Sequence, residues 1–239
     1  MSFYNKRIVR VGFLVHVCYI RVMNEFYFQI EITPEQIEFA NALVDYSIKN
    51  HPVKDIFAND PGGAKRKREF RQTGTLGEVV FADMYGLPRP TRSFGAIDGQ
   101  DYGQDFTLVI NGQEKVFDIK AMRRKNNVFR GNYVLNLPKY QMLKKGVITD
   151  NYFCISIHEV GSIFIASFIG WVDKVKVENG EVGILYESGT RRVKDNGDSF
   201  VFMRDTYEVE FRDICSPPLN EKIRNTKGFQ IKKILPPLG

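Results

Sequence analysis

Asp118-Ile119-Lys120 sets a carboxylate two residues ahead of an ammonium, and among the lysines of the chain only Lys120 has an acidic residue at that offset. Side chains alternate along a strand, so Asp118 and Lys120 project to one face of the segment 115–120. Phe117 and Ile119 project to the other, where a core wants them. Upstream stand Asp105 and, within Gly74-Thr75-Leu76-Gly77-Glu78, a third carboxylate. Three carboxylates and one lysine can hold a divalent cation and activate water against a phosphodiester. Hard oxygen donors favour Mg²⁺, with Mn²⁺ as substitute, over zinc.

These side chains need elements to position them. Phe106-Thr107-Leu108-Val109-Ile110 is apolar and β-branched, and Asn111-Gly112 signals a tight hairpin turn. Val116 to Lys120 then runs back antiparallel, which brings Asp105 near Asp118. Two close carboxylates repel unless a cation or a proton intervenes. Glu78 is expected on a helix over roughly 76–85, with Leu76, Val79, Val80 and Met84 packed and Gly86 and Pro88 ending it. Each group also has a plainer reading. Thr75-x-x-Glu78 fits a capping box, Asp105 suits a turn, and Asp118 with Lys120 suits a solvated charge pattern on a hairpin. The basic runs Lys65-Arg66-Lys67-Arg68 with Arg71, and Arg123-Arg124-Lys125 with Arg130, bracket the acidic residues. Such an arrangement fits phosphate tracking, and a solvated loop face is the alternative for either run.

Glu78, Asp105 and the Asp118-Ile119-Lys120 triplet resemble the active-site signature of the PD-(D/E)XK, or restriction-endonuclease-like, nuclease superfamily. The order of elements is reproduced over roughly residues 70–170, with Gln104 where the family name has proline. The resemblance implies an α/β fold, a mixed central β-sheet flanked by helices, with β-rich additions at the C-terminus. It implies metal-dependent cleavage of phosphodiester bonds, most of all in DNA and by an endonuclease. Asp105, Asp118 and the backbone carbonyl of Ile119 would hold the metal. Glu78 would bind a second ion or a metal-bound water, and Lys120 would orient the attacking water and stabilise charge on the phosphate. Gln141 and Lys144, on a helix expected from Pro138 to Lys145, are candidate substrate contacts on the same ground, and a homodimer is implied by the habit of the superfamily.

Composition narrows the rest. The net charge of +6 is compatible with a polyanionic partner without demanding one. Cys18, Cys154 and Cys215 form no CxxC pair, and His16, His51 and His158 form no metal-ligand spacing. Zinc ribbons, disulfide frameworks and histidine-based hydrolysis are therefore poorly supported, and a reducing, cytoplasmic compartment is expected. The run Val11 to Ile20 follows basic residues but is too short to span a bilayer, and Met23 offers a second start. Residues 1–30 read as an extension, 31–170 as a nuclease core, and 171–239 as a β-rich part with a loosely ordered tail around Pro217-Pro218 and Pro236-Pro237. A first helix begins at Thr33-Pro34 with Gln36 completing a capping box, and Ile37, Ala40, Val44 and Ile48 form its apolar stripe. Residues 50–72 read as a polar loop. Tyr152 to His158 and Ile163 to Ile169 read as strands around Gly161, and Trp171 as core rather than a stacking platform. Two rivals remain: a catalytically silent nucleic-acid-binding protein, and an enzyme of small phosphate esters, for which no glycine-rich phosphate loop is present.

Overall fold

The computed structural model describes residues 24–50, 63–91, 106–143, 148–193 and 197–237, with 63–67 in backbone only. In chain order the elements are β1 (Phe26–Ile32), α1 (Pro34–Asn50), α2 (Gly63–Tyr85), β2 (Phe106–Ile110), β3 (Gln113–Arg123), β4 (Val134–Pro138) and α3 (Lys139–Met142). They continue with β5 (Asn151–Val160), β6 (Ile163–Asp173), α4 (Lys174–Glu178), β7 (Ile184–Tyr186), β8 (Arg191–Val193), β9 (Ser199–Val201), β10 (Thr206–Glu210), α5 (Glu221–Arg224) and β11 (Gln230–Lys233).

Six strands form the central sheet in the order β11-β1-β6-β5-β3-β2. β3 and β5 run parallel and the other neighbours antiparallel, so the sheet is mixed. Alternation divides its side chains between two cores. On one face Phe28, Ile30, Phe117, Ile119, Phe153, Ile155 and Phe168 meet Leu76, Val80 and Phe81 of α2, with α1 packed beside it. On the other face Tyr27, Tyr152, Cys154, Ile169 and Val172 meet Leu135, Leu137 and Val209, from the second sheet β4-β10-β7. The fold is thus α/β, with α1, α2 and α5 on one face and the small sheet with the short helices α3 and α4 on the other. Among the described residues no helix is long and apolar enough to cross a membrane.

Several local expectations hold. Thr33 and Gln36 cap α1 reciprocally, at 2.9 and 3.2 Å. Asn111 and Gly112 both take positive φ, 53° and 79°, the geometry of the tight turn joining β2 to β3. β5 and β6 turn at Gly161 as read from the sequence, and Trp171 packs on Phe117 at the edge of the first core.

Other expectations are corrected. α2 begins at Gly63 rather than near residue 76, so Thr75 and Glu78 lie in its interior and the capping box does not exist. The first half of the helix is rich in Lys and Arg, with Arg68, Glu69 and Phe70 exposed, so it shows no apolar period although its residues favour helix. Gly77 lies inside it and against the sheet: a Cβ there would overlap that of Ala121 on β3, so glycine allows the close approach. The buried stripe of α1 runs Gln36, Ala40, Val44 and Ser47, leaving Ile48 exposed. β1 enters the sheet at Phe26, inside the stretch read as an extension to residue 30. After Asp173 the chain turns into α4, capped by the Asp173 carboxylate, instead of continuing as strand. The helix expected to reach Lys145 ends its described course at Met142, and Lys144 lies outside the described residues. The tail is built into the fold, since β11 pairs with β1 and Ile223 of α5 is fully buried.

Candidate functional site

Asp118 and Lys120 occupy the face of β3 that looks toward the small sheet, and Phe117 and Ile119 fill the core behind them. The Lys120 ammonium lies 2.6 Å from a carboxylate oxygen of Asp118, with the side chains 20% and 14% exposed. Both therefore stand at a boundary, reachable from solvent yet largely desolvated. In such a place a charge interaction is screened less than on an open surface. The described pairing of β2 with β3 stops at Phe106↔Phe117. Phe106 follows Asp105 and Phe117 precedes Asp118, which is the register the hairpin reading requires. Asp105 itself lies outside the described residues.

The crossover from β3 to β5 brings further groups over the pair. α3 sets the side-chain oxygen of Gln141 3.4 Å from the Lys120 ammonium, and its amide donates to the Tyr140 hydroxyl at 3.0 Å. The parallel ladder sets Tyr152 opposite Asp118 and Cys154 opposite Lys120. The Tyr152 ring stands 5.7 Å from the Lys120 ammonium. Its hydroxyl is buried, with no hydrogen-bond partner among the described residues. Burial first, then the negative charges of Asp118 and Glu178, hold that phenol above its ordinary range. Burial likewise pushes the Cys154 thiol up to about 12, which makes it a core residue at neutral pH and not a nucleophile.

Glu78 lies on α2, which packs on the other face of the sheet, behind β3. It follows Gly77, which rests against Ala121 and Ile119 of β3, and is itself only 7% exposed. Asp118 and Glu78 are hard oxygen donors, suited in kind to Mg²⁺ or Mn²⁺. Among the described residues no group of three acidic, histidine or cysteine side chains is gathered for a metal ion.

The basic residues separate by environment. Arg68 grips Asp45 through three hydrogen bonds of 2.8–3.1 Å, joining α2 to α1. Arg71 is buried, and the side chains of Lys65, Arg66 and Lys67 lie outside the described residues. Arg130 donates to the Pro236 carbonyl at 3.0 Å and so fastens the chain terminus. Arg123 lies over the Phe164 ring at 5.5 Å. Arg124, in contrast, opens on a cavity with Lys125, Asn126 and Tyr133.

Sequence reasoning missed Tyr152 and Glu178. Their only signal is the parallel register of β3 and β5 and the turn into α4, neither of which is written locally. No protein-family model matches the chain, and a search of curated proteins finds no match.

Proposed function

We propose that this protein is a metal-dependent nuclease that hydrolyses phosphodiester bonds, with DNA as the expected substrate. The observation that carries the reading is the shared face of Asp118 and Lys120, 2.6 Å apart, in front of a hairpin whose register sets the residue after Asp105 against the residue before Asp118. On this reading Asp118, Asp105, the Ile119 carbonyl and Glu78 would hold Mg²⁺ or Mn²⁺, which when bound would supply charge stabilisation and a more acidic water. Lys120 keeps its proton beside Asp118 and steers the attacking water by charge, acting electrostatically rather than as a base. Gln141, 3.4 Å from that ammonium, fixes its direction. The restriction-endonuclease-like assignment of the sheet, the nucleic-acid partner and a homodimer belong to the same proposal.

One observation favours a second reading. Lys120 and Asp118 contact each other directly, as a purely structural ion pair would in a silent nucleic-acid-binding protein on this scaffold. The two readings part in one experiment. Supercoiled plasmid, linear duplex, single-stranded DNA and RNA are each incubated with Mg²⁺, with Mn²⁺ and with EDTA, alongside Lys120→Ala. Metal-dependent cleavage abolished in a variant that still melts cooperatively supports the nuclease. Salt-sensitive binding without cleavage, unchanged by Asp118→Ala, supports the silent reading.

A further inference from the structure

Arg124 continues the face of β3 that carries Asp118 and Lys120, and its backbone N–H extends the ladder by donating to the Ile157 carbonyl at 2.9 Å. Its guanidinium lies between two rings, 5.5 Å from the Tyr133 centroid and 5.1 Å from that of Phe211. Nη2 donates to the Val134 carbonyl at 2.8 Å, and Nε and Nη2 lie against the Met122 sulfur at 3.2 and 2.9 Å. Nη1 makes no hydrogen bond among the described residues, nor does Arg124 enter an ion pair there. An arginine held this firmly in a largely apolar setting usually answers a carboxylate, because burying a lone charge is costly. Burial accordingly lowers its pKa, and no carboxylate offsets the effect. The open cavity it lines is shared with a second cation, Lys125, and with Asn126 and Tyr133.

We infer that this cavity is a phosphate-binding subsite for a nucleic-acid strand crossing β3, with Arg124 as the fixed donor and Lys125 as the mobile one. A planar guanidinium presenting free N–H groups matches phosphate oxygens, and the two flanking rings fix the plane in which it does so. At about 3.3 Å per residue, Arg124 stands about 13 Å from Lys120 along the strand. A single nucleotide does not span that distance, so a ligand that occupies this subsite and the Lys120 face at once must be a polymer. The inference deepens the function proposed above and rests on it for the polymer that supplies the phosphate.

Binding of a fluorescent oligonucleotide of about twenty residues is measured in EDTA, so that cleavage plays no part, across a salt series. Arg124→Gln is expected to weaken affinity about ten-fold and to make the slope of log K against log salt shallower by about 1. Because that change also removes a packed side chain, thermal melting is recorded, and Lys125→Gln at an exposed position serves as the second variant, with the same slope change expected. An Arg124→Gln protein that melts like the parent and binds with unchanged affinity and slope overturns the inference. Should Arg124→Gln fail to fold, an unchanged slope in Lys125→Gln overturns it. Absence of oligonucleotide binding by the parent does the same. So does stabilisation by inorganic phosphate that is lost in Arg124→Gln while oligonucleotide affinity stays put, which marks a free-anion site. If binding responds as expected but no substrate is cleaved with any metal, the catalytic reading falls and this one stands. Cleavage lost in Lys120→Ala beside binding indifferent to both variants means the reverse.

Discussion

Gly77→Ala tests how closely α2 must sit on β3, and hence how Glu78 is held near the Asp118 strand. In an ordinary helix interior, alanine gains about 1 kcal/mol over glycine. Here the added Cβ would lie under 3.0 Å from the Cβ of Ala121, which is not a flexible side-chain end. Ordinary carbon contacts are about 3.5–4.0 Å, so α2 would have to retreat by on the order of 1 Å. Overpacking of that kind costs about 1–3 kcal/mol, which cancels or exceeds the propensity gain. In an Ala121→Gly background the obstruction is gone, and Gly77→Ala should then stabilise by about 1 kcal/mol. The double-mutant cycle should thus return a coupling of about 1–3 kcal/mol. Urea denaturation of the four proteins, with m-values checked for constancy, measures it. An equal gain from Gly77→Ala in both backgrounds would refute the argument, since it would mean that α2 and β3 are not in contact at this residue.

Two further outcomes follow from charge and burial. Arg89 joins Glu35 at the start of α1 to Asp83 near the end of α2, and Gln36 adds a 2.7 Å hydrogen bond to Asp83. Burial raises the Asp83 carboxyl, but the Arg89 and Gln36 hydrogen bonds outweigh it and leave the group below its usual 3.8. A depressed carboxylate stabilises the fold above its unfolded pKa and loses that contribution as pH falls through the folded value. Arg89→Ala should therefore cost about 1–2 kcal/mol at pH 7, with the deficit shrinking toward pH 2–3; a constant deficit across melts in that range would contradict it. His158 is buried on β5 with neither ring nitrogen hydrogen-bonded among the described residues, and burial, then the Lys232 charge, lowers its pKa below 6.5. Below that value the unfolded chain takes up the proton more readily, so stability falls as pH drops from about 6.5 toward the folded pKa. His158→Gln should flatten that part of the profile, and a variant with the parent's pH dependence would show that the imidazole plays no part.

What the sequence wrote legibly was local. The capping of α1 by Thr33 and Gln36, the Asn111-Gly112 turn and the alternation from Phe117 to Lys120 depend on neighbours a few residues apart, and all three read correctly. The same alternation settled which residues of the Asp118-Ile119-Lys120 triplet face the core. Where the deciding contact was distant, the reading failed. Residues 63–72 read as part of a polar loop, and the helix as starting near residue 76, because the first turns of α2 carry no apolar period; the close fit of Gly77 on Ala121 is likewise set by a residue of another element. The tail read as loose because the partner of β11 is β1, at the far end of the described chain.

The site divides along the same line. Its acid–lysine pair belonged to the sequence, since a strand's period of two fixes the relation between Asp118 and Lys120 wherever the strand lies. Which groups stand over that pair was decided by the tertiary structure. The parallel register of β5 on β3 brings Tyr152 beside Asp118, α3 carries Gln141 to Lys120, and two rings from separate segments enclose Arg124. Periodicity fixes the direction in which a side chain points. What it meets there depends on strand order and crossover, which the whole chain settles together through the burial of two cores on opposite faces of one sheet.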